Sequence, residues 1–219
     1  MLERFWRLLF PLRCPFCGAV LSSGAQCCSS CATRLPYFTQ AIPIASDGAE
    51  PIMSCAAPFR YEDIVRKSIL QLKFHGKRGY AGPLAFYMAQ AAGEVFADIH
   101  FDIVTSVPLT RVKERERGYN QAALLAKETA RRMGAPYAAL LQKVKSNEQQ
   151  HNLPAHLRWR NVQGVYAVRP GSSLQGKRVL LCDDVVTTGA TLGQCASVLL
   201  ASGAAQVNGL VVAAALRKG

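Results

Sequence analysis

Residues 179–191 read VLLCDDVVTTGAT, and no other stretch constrains the fold of this chain so tightly. The apolar run Val179 to Cys182 has the length of a buried parallel strand. It ends in two adjacent carboxylates, Asp183 and Asp184. Side chains alternate across a strand, so the two acids leave it toward different sides. Each can take a different hydroxyl of one ribose, or one can hold a hydrated Mg²⁺. Thr187, Thr188, Gly189, Ala190 and Thr191 follow, supplying hydroxyls and backbone N–H groups, and Gly189 permits a conformation closed to other residues. Leu192, Cys195, Ala196 and Leu199 then recur at helical spacing, with Gly203 placed as a C-terminal cap. A helix starting near Ala190 aims its positive end at the loop, which suits a phosphate. Either piece alone has a bland reading, the acids as a solvated turn and the TTG as a plain N-cap. The thirteen residues together are far more specific.

The rest of the chain alternates strand and helix patterns. A strand is expected near Ser54–Arg60, helices near Glu62–Phe74 and Pro83–Phe96, and a strand at Phe101–Val107. A charged loop, LTRVKERERGYNQ, comes next. The following helix buries Ala122, Leu125, Ala126, Thr129, Ala130 and Met133, and Gly134 and Pro136 stop it. A short strand at Val165–Val168, the signature strand and a last strand at Val207–Ala214 complete the pattern. The expected fold is α/β, a doubly wound, mainly parallel sheet with helices on both faces. In such sheets a ligand sits at the carboxyl ends of the strands. Two ends matter: the acid pair, and the segment after Val107, where Arg111, Lys113, Arg115 and Arg117 stand against Glu114 and Glu116. A pyrophosphate can be bound opposite such a loop; the bland alternative is an exposed loop that pairs its own charges.

Five of the eight cysteines lie within residues 14–31. Cys14, Cys17, Cys28 and Cys31 form two C-x-x-C knuckles, which together satisfy a tetrahedral, structural Zn²⁺. Cys27 is an alternative to Cys28; the latter keeps the C-x-x-C spacing. Cys55, Cys182 and Cys195 lie in apolar runs and read as buried small hydrophobes. His75, His100, His151 and His156 show no metal-ligand spacing. The expected division is an N-terminal helix and cysteine module over 1–38, a linker over 39–53 and one α/β domain over 54–219. The N-terminus, MLERFWRLLF, is amphipathic but interrupted by charge, a poor secretory signal. The run Leu210 to Leu216 is too short to span a membrane and fits a final buried strand. Cytoplasmic residence with reduced cysteines follows as the expectation. The formal net charge of +12 points to polyanionic partners: nucleic acid, phosphorylated metabolites or an acidic lipid surface.

The thirteen-residue stretch resembles the phosphoribosyl pyrophosphate signature of type I phosphoribosyltransferases. By matched position, Asp183 and Asp184 would contact the ribose, and Thr187, Thr188, Gly189, Ala190 and Thr191 would wrap the 5′-phosphate. Taken with the cysteine module and the VPL-T-R…RGYNQA segment, nearly the whole chain resembles the ComF family of competence and DNA-utilisation proteins. LKFHGK (Leu72–Lys77) is similar to that family's lysine-glycine segment, which makes Lys73 a site candidate. The stretch from Gln150 through Arg158 to Asn161 is similar to its Q-x-x-L…R-x-x-N segment, within a hood over about 140–168. The resemblance further marks Arg111, Arg117, Asn120, Gln121, Gln150, Arg158 and Asn161 as pyrophosphate-loop and hood candidates.

Three functions follow as alternatives. One is an enzyme that displaces pyrophosphate from C1 of the sugar, with Mg²⁺ and basic side chains stabilising the leaving charge. Another is a protein of DNA uptake whose basic loops, with Tyr80, Tyr119 and Trp159 beside charges, bind single-stranded DNA. A third is an adapter whose zinc module docks a protein partner of the uptake machinery. The resemblance favours a phosphoribosyl-pyrophosphate-binding protein serving DNA uptake. The alternative is a metabolic phosphoribosyltransferase with an unidentified acceptor.

Overall fold

A computed structural model describes residues 12–45, 50–144 and 164–215. Its centre is the sheet β1-β2-β8-β7-β4. The strands are β1 (Ile42–Ala45), β2 (Pro51–Ala56), β3 (Phe59–Arg60), β4 (Ile103–Ser106), β7 (Arg178–Val186) and β8 (Gln206–Ala214). Strands β2, β8, β7 and β4 are mutually parallel, β3 adds to β8 in parallel, and β1 closes the edge antiparallel to β2. A separate antiparallel pair joins β5 (Leu141–Lys143) to β6 (Tyr166–Val168). The helices are α1 (Ser29–Ala32), α2 (Asp63–Phe74), α3 (Ala81–Val95), α4 (Arg111–Arg117), α5 (Gln121–Met133) and α6 (Ala190–Ala201).

The period-2 alternation of β7 divides the core. Leu180 and Cys182 face one layer with Ile69 and Leu72 of α2, Leu84 and Met88 of α3 and Leu125 of α5. Val179 and Leu181 face the other, with Leu192, Cys195 and Leu199 of α6 and Ile44 and Met53 of the β1–β2 hairpin. Burial on both faces explains why β7 and β8 read as near-continuous apolar runs. Gly209 leaves room for the β2 side chains beside β8: a Cβ there would lie 2.5 Å from Met53 Cε and 3.0 Å from Cys55 Sγ. The run from Leu210 ends in β8, as expected, and among the described residues no helix is long and apolar enough to cross a membrane.

Three expectations are corrected. The stretch 39–53 is not merely a linker: it forms β1 and the start of β2. Ile44 and Met53 are buried against the α6 layer, with Ile42 and Ile52 packed partly against it, a pattern hidden by the intervening prolines and small residues. The charged segment after Val107 is largely the helix α4 rather than a loop. Thr110 caps it by accepting from Lys113 N at 3.3 Å, and Gly118 ends it in the left-handed region, φ 73°. It buries none of its residues, so no apolar period announced it. Lastly, β7 does not stop before the acid pair. It runs on to Val186, with Asp183 opposite Val211 and Val185 opposite Ala213 of β8.

The cysteine module packs onto the first layer rather than standing apart. Cys14, Phe16, Cys31 and Leu35 belong to the same apolar cluster as α2 and α3. The Phe16 ring meets Phe59 edge-on at 6.0 Å and lies 6.4 Å from Tyr87.

Candidate functional site

The acid pair is placed by strand alternation. Asp184 points into the layer of α2 and α5 and is only 3% exposed. Lys73 Nζ donates to its Oδ1 at 2.8 Å, and Gln121 Nε2 donates to its Oδ2 at 2.7 Å. Arg117 in turn donates to Gln121 Oε1 at 2.7 Å, while its guanidinium lies 4.8 Å from the Phe74 ring. The last turn of α2, the end of α4 and the start of α5 therefore converge on one carboxylate. Each oxygen of that carboxylate keeps a further lone pair for a ligand hydroxyl. Asp183 faces the opposite layer. Burial, then the neighbouring Asp184 carboxylate, pushes its carboxyl up to about 8, against the opposing pull of the Asp184 N–H and Lys73. The Asp184 N–H donates to Asp183 Oδ1 at 2.8 Å.

Beyond β7 the chain turns at Gly189, φ 78°, into the N-terminus of α6. A Cβ at Gly189 would meet Ile44 Cδ1 at 2.8 Å, so the β1–β2 hairpin presses against the loop from behind. Thr187, Thr188 and Thr191 are exposed, and Thr188 Oγ1 accepts from Ala190 N at 3.4 Å. The free N–H groups at the start of α6 and its positive end suit an anion.

These groups line one cavity of about 370 Å³. Lys73, Arg117, Gln121, Asp183, Asp184, Thr187 and Thr191 all reach it. So do Tyr61, Lys113, Lys143 and Tyr166. Lys113 is one of the four cations of the expected basic segment, Lys143 and Tyr166 fall within the expected hood without having been singled out, and Tyr61 was not expected there. Lys143 and Tyr166 come from the β5–β6 pair, and nothing in their local sequence marks them. Burial and the facing Lys113 ammonium hold the Lys143 amine below the usual lysine range.

Other expected positions go elsewhere. Asn120 caps α5: its Oδ1 accepts from Ala122 N and Ala123 N, and its Nδ2 donates to Val107 O at 3.0 Å. It fastens α5 to the end of β4 and is absent from the wall of the acid-pair cavity. Arg111 lines the adjacent cavity on the outer side of β4. Tyr119 is buried, donates to the Leu72 carbonyl and is covered by Arg78 at 4.6 Å, so it presents no stacking face. Gln150, Arg158 and Asn161, with Trp159, lie outside the described residues.

In the cysteine module, the sulfurs of Cys14, Cys17, Cys28 and Cys31 lie within 4.8 Å of one another. Cys17 and Cys28 Sγ are 3.6 Å apart, near the roughly 3.8 Å edge of a tetrahedron with metal–sulfur bonds of about 2.3 Å. Cys27 turns away, and its sulfur accepts from the Tyr87 hydroxyl at 3.0 Å. The donor set fits a closed, structural tetrahedral ion, with no open position formed by other residue types.

Residues 120–219 match the family model of the phosphoribosyl transferase domain. The chain is 29% identical over 198 residues to DNA utilization protein YhgH of Salmonella typhimurium, covering 89% of this chain and 80% of that protein. It is 27% identical over 194 residues to competence protein ComFC of Bacillus subtilis, covering 88% and 73%. Competence protein F of Haemophilus influenzae is 25% identical over 198 residues, covering 89% and 81%. The similarity extends over most of the chain: it is similar to these DNA utilization and competence proteins, and its C-terminal part carries the match to the phosphoribosyl transferase domain.

Proposed function

We propose that the acid-pair cavity binds Mg²⁺-phosphoribosyl pyrophosphate and that the protein serves the uptake or use of DNA, binding single-stranded DNA as well. The observation that carries the first part is the Asp184 carboxylate, held by Lys73 and Gln121 beside a glycine-started helix N-terminus. The two acids take the ribose hydroxyls, and residues 187–191 take the 5′-phosphate. Lys73, Lys113 and Arg117 face the side where the pyrophosphate charge would lie. Mg²⁺, when bound with this ligand, supplies charge neutralisation at the leaving group. The chain's own residues orient the ribose and hold the cations in place without reorganisation. Whether transfer to an acceptor follows is the content of the second reading, a metabolic phosphoribosyltransferase. The DNA role is supported by the relatives' names as DNA utilization and competence proteins and by the net charge of +12. The four-cysteine cluster takes Zn²⁺ as a structural ion.

The test is the affinity of Asp184→Asn for Mg²⁺-phosphoribosyl pyrophosphate by titration calorimetry. Loss of a charged hydrogen-bond acceptor should weaken binding by about 1.5–3 kcal/mol. An affinity equal to that of the parent protein overturns the assignment.

A further inference from the structure

The acid-pair cavity is one end of a line of three cavities. Through Pro108, Leu109, Thr110 and Lys143 it adjoins a larger one of about 740 Å³ on the outer side of β4. That one shares Lys127 with a third, about 570 Å³, lying between the cysteine module and helices α3 and α5. Seven cations line these two outer cavities against two acids, Glu114 and Glu128, an imbalance that selects polyanions. Among the described residues, Arg111, Lys127, Lys143 and Arg169 form no ion pair. Only Arg131 is neutralised locally, by Glu128 at 3.0 Å.

The same wall offers apolar surface for bases. Val112 and Val144 are 60% and 52% exposed, high for valine, and both line the larger cavity. The Tyr137 ring lies beside them, pinned through its hydroxyl to Ser106 Oγ at 3.2 Å, with Lys127 Nζ 5.5 Å from the ring centre. A small phosphate would need the cations alone. Cations interleaved with an aromatic ring and bare valines suit a chain of phosphates carrying bases.

We infer that single-stranded DNA lies along this line, its phosphates on Arg111, Lys127, Lys143 and Arg169 and its bases against Tyr137, Val112 and Val144. The strand then passes the lip of the acid-pair cavity at residues 108–110. This rests on the reading of the chain as a DNA-handling protein and adds where the strand runs.

The experiment is fluorescence anisotropy of a labelled thymidine oligonucleotide with the full chain, across a range of salt. Lys127→Gln and Arg169→Gln change exposed side chains on separate elements, α5 and the segment after β6. Melting curves check that each is folded. Each should weaken binding on the order of tenfold, the worth of one charged contact. Each should also flatten the slope of log affinity against log salt by about 0.7. Lys67→Gln, an exposed lysine of α2 off this line, removes the same charge and should change neither. If the parent protein binds and both variants match it, the strand runs elsewhere and the DNA reading survives. Should the parent fail to bind at low salt, this path and the DNA reading fall together. Tighter binding of a duplex of the same length also overturns the path.

Discussion

Asp183 and Asp184 are chain neighbours on opposite faces of β7, and their surroundings differ accordingly. Asp184 meets the Lys73 ammonium and the Gln121 amide. Asp183 meets burial and its neighbour's charge, and in the folded protein holds its proton up to about 8. The unfolded chain releases that proton near the usual value of about 3.9. Between those values the folded state binds more protons than the unfolded one, so this group's contribution to stability falls as pH rises from about 4 to about 8. Asp183→Asn cannot ionise. Its melting temperature, measured without ligand, should gain on the parent's steadily from pH 5 to pH 8; parallel curves would show that the carboxyl ionises normally in the fold.

At the scale of elements, the loop from β7 into α6 is held from behind by the hairpin. Gly189 has both a positive φ and Ile44 at its back. Gly189→Ala should therefore destabilise the protein by about 1–3 kcal/mol through backbone strain, with the contact added. Ile44→Ala in the same chain removes the contact but not the strained φ. The double variant should thus recover part of the Gly189→Ala loss, beyond what additivity of the two single changes allows. Additive losses in denaturant melts would mean that the hairpin does not press on the loop. The helix α4 illustrates a different point: its caps, Thr110 and Gly118, are visible in the sequence, yet its charged, wholly unburied body gives no hydrophobic period to read.

For the whole molecule, the cysteine module and the α/β body share one apolar cluster through Phe16, Phe59 and Tyr87. A metal held by the module would accordingly be coupled to the stability of the entire chain. Stripping zinc with a chelator should lower the single melting transition instead of adding a separate early one. Cys28→Ser should lose tight zinc binding, while Cys27→Ser should keep it, because Cys27 is engaged with the Tyr87 hydroxyl. Metal content by mass spectrometry of each purified variant decides between them.

What the chain alone determined was local. The apolar run, the adjacent acids, the glycine turn and the helix after it are consecutive, and each depends on period, propensity or backbone freedom within a few residues. The same holds for the cysteine knuckles, whose spacing encodes a metal geometry. What the tertiary structure decided was who meets whom. Lys73 reaches Asp184 across 111 positions of chain and Gln121 across 63, because α2 and α5 cover the same face of β7. Asn120, in the same motif as Gln121, is turned to capping, since the helix start needs an acceptor there. Lys143 and Tyr166 enter the cavity because the β5–β6 pair packs over the α6 layer. Such meetings follow from the burial of each element's apolar face against the sheet, a condition on the whole chain that no local pattern carries.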